Sequence, residues 1–404
     1  MNHAADMPLA HLDRMTDSTG LIQHAIYGIP RRESGYTTDD NARALRLCTR
    51  LWGRHPDDRM LGRIACYLSF LEHARCPVKG FHNFLGYQRD WLDTTGTCDC
   101  QGQAVLALAE VLGSRLPEGF RAVAGELIKT ALPTLAELRS LRAQAYLIMA
   151  WSHLWKTDVL LAHGLEAVAE QAALRLTDAY ERSHRPEWPW FESRMTYANA
   201  VLPHSLFAAA ERWPDGPFMN VAEQTFGFLV RETTTSGLFW PVGNRDWYAR
   251  GEPKSPYDQQ PVEASTMAEA ALAACTVRAE AGHRATFLRA HAWFEGRNSL
   301  GLALFDPLTG GCCDGLQPDG LNLNQGAEST LAALWTRWLG IATRKLYCTD
   351  DEIALGPRPP SPVPRPPSPV PRPPSPVPRP PSPPPQEQPA HDAPREAAAL
   401  SRTL

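Results

Sequence analysis

Three short stretches of the chain join aromatic rings to carboxylates and amides. They are Gly35-Tyr-Thr-Thr-Asp-Asp-Asn41, Trp188-Pro-Trp-Phe-Glu-Ser-Arg-Met-Thr-Tyr197 and Tyr257-Asp-Gln-Gln-Pro-Val-Glu263. Each lies just before an apolar run of helical period. Rings stack on pyranose faces, amides and acids bond hydroxyls, and paired carboxylates can cut a glycosidic bond. The chemistry open to these residue types in this pattern is carbohydrate chemistry.

Each candidate also has a structural role to be weighed against it. Asp39 and Asp40 follow Thr37-Thr38 at a helix start, where an Asp commonly satisfies free N–H groups and the helix dipole. Two acids followed by Asn41, directly after Gly35-Tyr36, exceed what a cap needs. Glu192 follows Trp188, Trp190 and Phe191, and such flanks would desolvate it and raise its pKa toward that of a general acid. The competing role is an ion pair with Arg194. Asp258 and Glu263 flank Gln259-Gln260-Pro261; Pro261 starts a helix, so Glu263 falls in its first turn. Glu328 stands at another helix start. These readings make Glu192 the expected acid, Asp40 the base and Asp258 the next candidate. Tyr36, Trp188, Trp190, Tyr197 and Trp247 are the expected sugar platforms. Asp39, Asn41, Asn199, Gln259, Gln260, Glu263 and Glu328 are the expected hydroxyl partners. The upstream His11-Leu-Asp-Arg-Met-Thr-Asp17 and Gln23-His24 are further polar groups for a pocket wall. Histidines carry the rival chemistry: His204, with His82 or His24, could abstract a sugar proton, against the usual structural role of a helical histidine.

Helical periodicity runs through most of the chain that must hold these groups. Apolar spacing predicts about eleven helices, near 41–52, 60–73, 102–114, 118–130, 135–154, 160–180, 197–212, 218–231, 262–281, 285–296 and 326–341, with little strand pattern. The intervening loops alternate. Leu116-Pro-Glu118 and Pro214-Asp-Gly216 are short and plain, whereas 78–101, 183–196, 234–261 and 299–325 are long and dense in rings, acids and Gly. A closed ring of helical hairpins would give that alternation, with the rich loops gathered at one end. The expected fold class is all-α, an α/α barrel over residues 1–350, followed by a disordered tail over 351–404.

The tail is compositional. From Pro357 the unit Pro-Arg-Pro-Pro-Ser-Pro-Val repeats, and 20 of the 37 prolines lie in these 48 residues. Lacking apolar bulk and backbone donors, it reads as an extended polyproline spacer or a ligand for a proline-recognising partner. Before Pro357 stand 34 basic and 41 acidic residues, a net of −7 that argues against a nucleic-acid partner. No secretory leader and no span of about 18 apolar residues is visible, so no membrane partner is expected. Nine cysteines, an odd number scattered through helical runs, fit free thiols in the cytoplasm. Cys98-Asp-Cys100 and Cys312-Cys313 match no common zinc spacing, and no cofactor is expected.

Several of these segments together resemble a known group. His11–Leu45, Phe81–Ala104, Trp188–Ala208, Phe239–Ala271 and Trp293–Ala332 resemble a bacterial family of the six-hairpin glycosidase-like superfamily. The shared patterns are Gly-Tyr-Thr-Thr-Asp-Asp-Asn-Ala-Arg-Ala-Leu at 35–45, Asp-Gln-Gln-Pro-Val-Glu-Ala at 258–264 and Asn-Gln-Gly-Ala-Glu-Ser-Thr at 324–330. The resemblance implies an α/α six-hairpin (toroid) barrel to about residue 345. It also implies proteins often labelled glycosyltransferases and associated with mannoside phosphorylases, although no nucleotide-sugar domain of alternating strands and helices is present. The expected substrate is an oligosaccharide or sugar. The expected activity is glycosidic-bond cleavage or transfer on a mannose-containing glycan, in the manner of an inverting glycoside hydrolase. The alternatives are a sugar epimerase or isomerase on the same barrel, and a non-catalytic sugar-binding accessory of a glycosyltransferase.

Overall fold

Two helices of this chain are buried on nearly every side. In α4 (Cys98–Leu112) each residue from Cys100 to Val111 is buried, and in α6 (Leu141–Trp155) each from Arg142 to Trp151. A helix buried all round must have neighbours on all sides. Small residues permit it: a Cβ on Gly102 would lie 2.9 Å from that of Tyr146, so α4 approaches α6 closely there. The intervening helix, α5 (Glu118–Leu135), has one apolar stripe, which runs through Ala124, Leu127, Ile128, Ala131 and Leu135.

Two concentric rings satisfy both kinds. The computed structural model describes residues 7–76, 79–155, 157 and 159–347. The inner ring consists of α2 (Thr38–Arg54), α4, α6, α8 (Val201–Arg212), α10 (Pro261–Val277) and α12 (Ala327–Tyr347). Each packs on the next, and α12 packs on α2, so the ring closes. Outside it, α3 (Asp58–His73), α5, α7 (Val159–Ser183), α9 (Phe218–Glu232) and α11 (Ala281–Trp293) pair with the inner helices that precede them. The sixth pair joins the two ends of the described chain: α12 packs against the short α1 (Ala10–Met15). Six hairpins thus form an α/α barrel.

The helices follow the periodicity, with two differences. The six-residue α1 is too short to show a period. The break expected at 131–134 lies at 136–140, because α5 continues through Pro133 to Leu135. Ser140 ends the break: its carbonyl accepts from Gln144 N at 3.1 Å, and its hydroxyl donates to Asp99 Oδ1 at 2.6 Å. Among the described residues, strands are confined to two-stranded ribbons between the helices, such as Gly315–Gln317 with Gly320–Asn322. The long loops enter the inner helices at their N-termini and share one end of the barrel. No helix among the described residues is long and apolar enough to cross a membrane. The Pro-rich tail and its boundary at 350 lie outside the described residues.

Candidate functional site

The N-terminus of α2 shows how the loop end is built. Thr37 is the N-cap; its hydroxyl accepts from Asp40 N at 3.4 Å and donates to Asp40 Oδ2 at 2.9 Å. Asn83, from the loop before α4, presents Oδ1 to Thr38 N and Asp39 N at 3.1 and 3.3 Å. Much of the capping duty therefore falls to Thr37 and Asn83, and both aspartates also face a cavity. Tyr36 and Thr37 reach this place through a ribbon with Phe84 and Leu85, against which Gly35 packs: a Cβ there would lie 2.2 Å from Leu85 O.

The cavity encloses about 340 Å³ and is walled mainly by the starts of α2 and α12 and the loops before α10 and α12. Five carboxylates line it: Asp39, Asp40, Asp258, Asp314 and Glu328. Gln23, His24, Asn244, Gln260 and Asn322 add neutral polar groups. Arg43, one turn along α2, bridges two of the acids, with Nη1 2.8 Å from Asp40 and Nη2 3.0 Å from Glu328.

Electrostatics separate the acids. Burial, then the neighbouring Asp39 charge, pushes Asp40 up to about 7, and Glu328 adds to this; Arg43, shared with Glu328, offsets it only in part. Burial likewise pushes Asp314 up to about 6, although Gly326 N donates to it at 2.8 Å. Asp258 has a buried Oδ1 without a hydrogen-bond partner, 3.5 Å from Arg245. His24 is lowered by burial and by Arg31, so it is neutral at pH 7.

Asp258 is held from behind by close backbone packing. Its carbonyl accepts from Asn244 N at 2.9 Å, and a Cβ on Gly243 would meet Tyr257 O at 2.1 Å and Tyr257 N at 2.6 Å. Gly243→Ala must displace this segment, and a shift of about 1 Å at a catalytic group costs on the order of 10²-fold in rate. The variant is expected to stay folded in circular dichroism and lose at least tenfold in turnover; unchanged turnover would separate Asp258 from the chemistry.

Several expected site residues lie elsewhere. Glu192 is bonded to Arg142 Nη1 at 3.0 Å and does not line the cavity. Trp188 and Trp190 are 2 % and 0 % exposed, so their faces belong to the core and offer no sugar platform. Tyr36 is also buried; its hydroxyl donates to Asp17 at 2.7 Å. Asn41 is a clamp: its Oδ1 accepts from Leu21 N and its Nδ2 donates to Thr37 O. Gln259 is spent on Pro256 O, Ser299 and Trp293. Glu263 accepts from Ala198 N and from Asn199 N and Nδ2, tying α10 to the turn before α8. Burial pushes it up to about 7 despite those bonds.

His82 stacks on Trp91 with ring centroids 4.9 Å apart and contacts Asp93 O at 3.0 Å. His204 is half-buried, its pKa lowered by desolvation, near Glu269 and Arg46 rather than on the cavity wall. Tyr197, 42 % exposed, and Trp247 form a ring pair 6.4 Å apart beside Arg142 and Asp99, also at helix starts of the loop end. The structure thus brings Asp39, Asp40, Asp258, Gln260 and Glu328 onto one wall and adds Arg43 and Asp314, which sequence reasoning missed. Arg43 had a signal, since it stands three residues beyond Asp40 on the same helical face.

The raised carboxylates carry a stability consequence. Asp40, Glu263 and Asp314 are raised above their unfolded values, so between roughly pH 4 and 7 the folded state binds more protons than the unfolded one. Their contribution is greatest below pH 4 and declines as pH rises through 6 to 7. Asp40→Asn removes one such loss. It is expected to raise Tm at pH 8 and leave it near wild type at about pH 3.5, below the unfolded value; an equal shift at both would refute a raised Asp40.

Comparison with known proteins supports the architecture. No protein-family model matches the chain, and no curated protein matches it. Solved structures do. A cellobiose 2-epimerase from Bacillus thermoamylovorans is 10% identical, with a TM-score of 0.64, covering 84% of this chain and 97% of its own. A D-mannose isomerase is 13% identical, with a TM-score of 0.60, over 84% of this chain and 96% of that one. An inactive variant of a Salegentibacter α-1,6-mannanase, with two consecutive aspartates replaced by asparagine and α-1,6-mannotriose bound, is 11% identical, with a TM-score of 0.56, over 83% and 97%. At these identities the likeness speaks for the fold: the chain is an α/α six-hairpin barrel, of the architecture found in sugar epimerases, sugar isomerases and mannanases.

Proposed function

We propose that this protein is a carbohydrate-active enzyme that cleaves a glycosidic bond, with Asp40 as general acid and Asp258 as general base. The observation that carries this reading is five carboxylates on one cavity wall, one of them buried and pushed up to about 7. Acetal cleavage needs a proton delivered to the leaving oxygen and a second carboxylate to activate water. Asp40 holds a proton near neutral pH. Asp258 lines the same cavity with its side chain 30 % exposed, so its carboxylate can meet a water there. Glu192, held by Arg142 away from the cavity, gives up the acid role to Asp40. The mannanase whose inactive form lacks two consecutive aspartates supports the choice by analogy of fold, since Asp39-Asp40 is such a pair. A mannose-containing glycan is the proposed substrate.

Epimerisation or isomerisation would require removing a proton from carbon beside a carbonyl, for which histidine is the stronger base. His24 is the one histidine among the residues lining the cavity, so the wall favours acetal chemistry. The test is an assay of the purified chain on α-mannosides and on free aldoses, with released sugar and isomer formation read in parallel. Cleavage is expected. Isomer formation alone, abolished by His24→Ala or His204→Ala, would overturn the reading in favour of an epimerase. Sugar binding without any turnover would leave an accessory module.

A further inference from the structure

The opposite end of the barrel holds a second cavity, of about 550 Å³, where the C-terminal ends of α2, α4 and α6 meet α12. It has the reverse charge. Arg50, Arg54 and Arg115 line it, against the one carboxylate of Glu110. That carboxylate is already engaged: Oε1 accepts from Arg46 Nε at 2.7 Å and Oε2 from Arg50 Nε at 2.5 Å. Two guanidiniums are left over. Arg54 and Arg115 are exposed and make no hydrogen bond or ion pair with any described residue. Other wall groups are also unpartnered. Thr49 is 3 % exposed and its hydroxyl has no hydrogen-bond partner, nor has Trp338 Nε1.

Arginines near helix C-termini ordinarily complement the carbonyl end of the helix dipole. Here neither Arg54 nor Arg115 donates to a terminal carbonyl, although Arg54 is the last residue of α2. Guanidiniums gathered at a cavity, in a body whose net charge is −7, make a local anion site, and their forked donors match phosphate oxygens. The cavity is of ordinary small-ligand size. It is separate from the acidic one: α2 carries Asp40 at one end and Arg54 at the other, fourteen residues and about 21 Å along the helix axis.

We infer that this far-end cavity binds a small phosphorylated ligand, held by Arg54 and Arg115 with Arg50 beside them. The site stands whether or not the acidic cavity cleaves glycosides. The probe is inorganic pyrophosphate, titrated calorimetrically into the full-length chain at low salt, with sodium chloride of equal ionic strength as the control. Pyrophosphate is expected to bind and chloride to give no comparable heat. The Arg54→Ala/Arg115→Ala double variant is expected to bind at least tenfold more weakly. Both side chains are exposed and unpaired, so the variant should keep the wild-type Tm and the wild-type sugar chemistry. Absence of binding at millimolar pyrophosphate, or equal binding by the double variant, would overturn the inference.

Discussion

Asp40→Asn is expected to lower turnover on a glycoside by about 10²- to 10⁴-fold, the usual contribution of a positioned acid or base. The amide keeps the size and the Thr37 contact but has no proton to deliver. Asp258→Asn should lose a comparable factor by removing the base. Since Asp40 is pushed up to about 7, the wild-type rate should fall as pH rises past that value and the acid ionises. Glu192→Gln tests the assignment from the other side. Its carboxylate is bonded to Arg142, outside the cavity, so a small effect is expected. Near-normal activity in both aspartate variants, or a collapse in the Glu192 variant alone, would refute the assigned pair.

Glu110→Gln is expected to destabilise the barrel by about 3–5 kcal/mol, the cost of breaking a buried ion pair from one side. Glu110 is 4 % exposed on α4 and binds Arg46 and Arg50 of α2, with His153 Nε2 of α6 at 3.4 Å. Burial alone would raise its pKa, but Arg46 and Arg50 more than offset this and hold it well below the usual carboxylate range. The amide cannot neutralise two guanidiniums; Arg46 would keep Glu269 at 2.9 Å, whereas Arg50 would keep His153 and the Trp338 ring but no carboxylate. His153, lowered to about 4 by burial, is neutral and adds no compensating charge. The effect should appear as a lower Tm at neutral pH. An unchanged Tm would show that the three helices are joined by apolar packing alone.

The helices and their closure into hairpins were legible because both rest on local pattern. Periodicity marks a buried face whatever it packs on, and alternation of plain and rich loops follows from hairpins whose ends point in opposite directions. The placement of Asp39, Asp40, Asp258, Gln260 and Glu328 at the loop end was legible for the same reason, since each stands at or just before the start of an inner helix.

The partner of each group was not legible, because partners come from distant helices. Glu192 and Glu263 read from the chain much as Asp258 does. Only folding brings Arg142 to the first, the Ala198–Asn199 turn to the second, and neither to the third. A tryptophan likewise has the same local signature facing a groove or facing the core. Trp188 lies edge-on to Phe228 and Tyr248, rings 5.3 and 4.9 Å away that come from α9 and the loop beyond it. Sequence alone determined the barrel and the end at which polar groups gather. Tertiary structure decided which carboxylates remain available, because a carboxylate's pKa and reach depend on burial and on charges hundreds of residues away, as the Asp40–Arg43–Glu328 bridge shows.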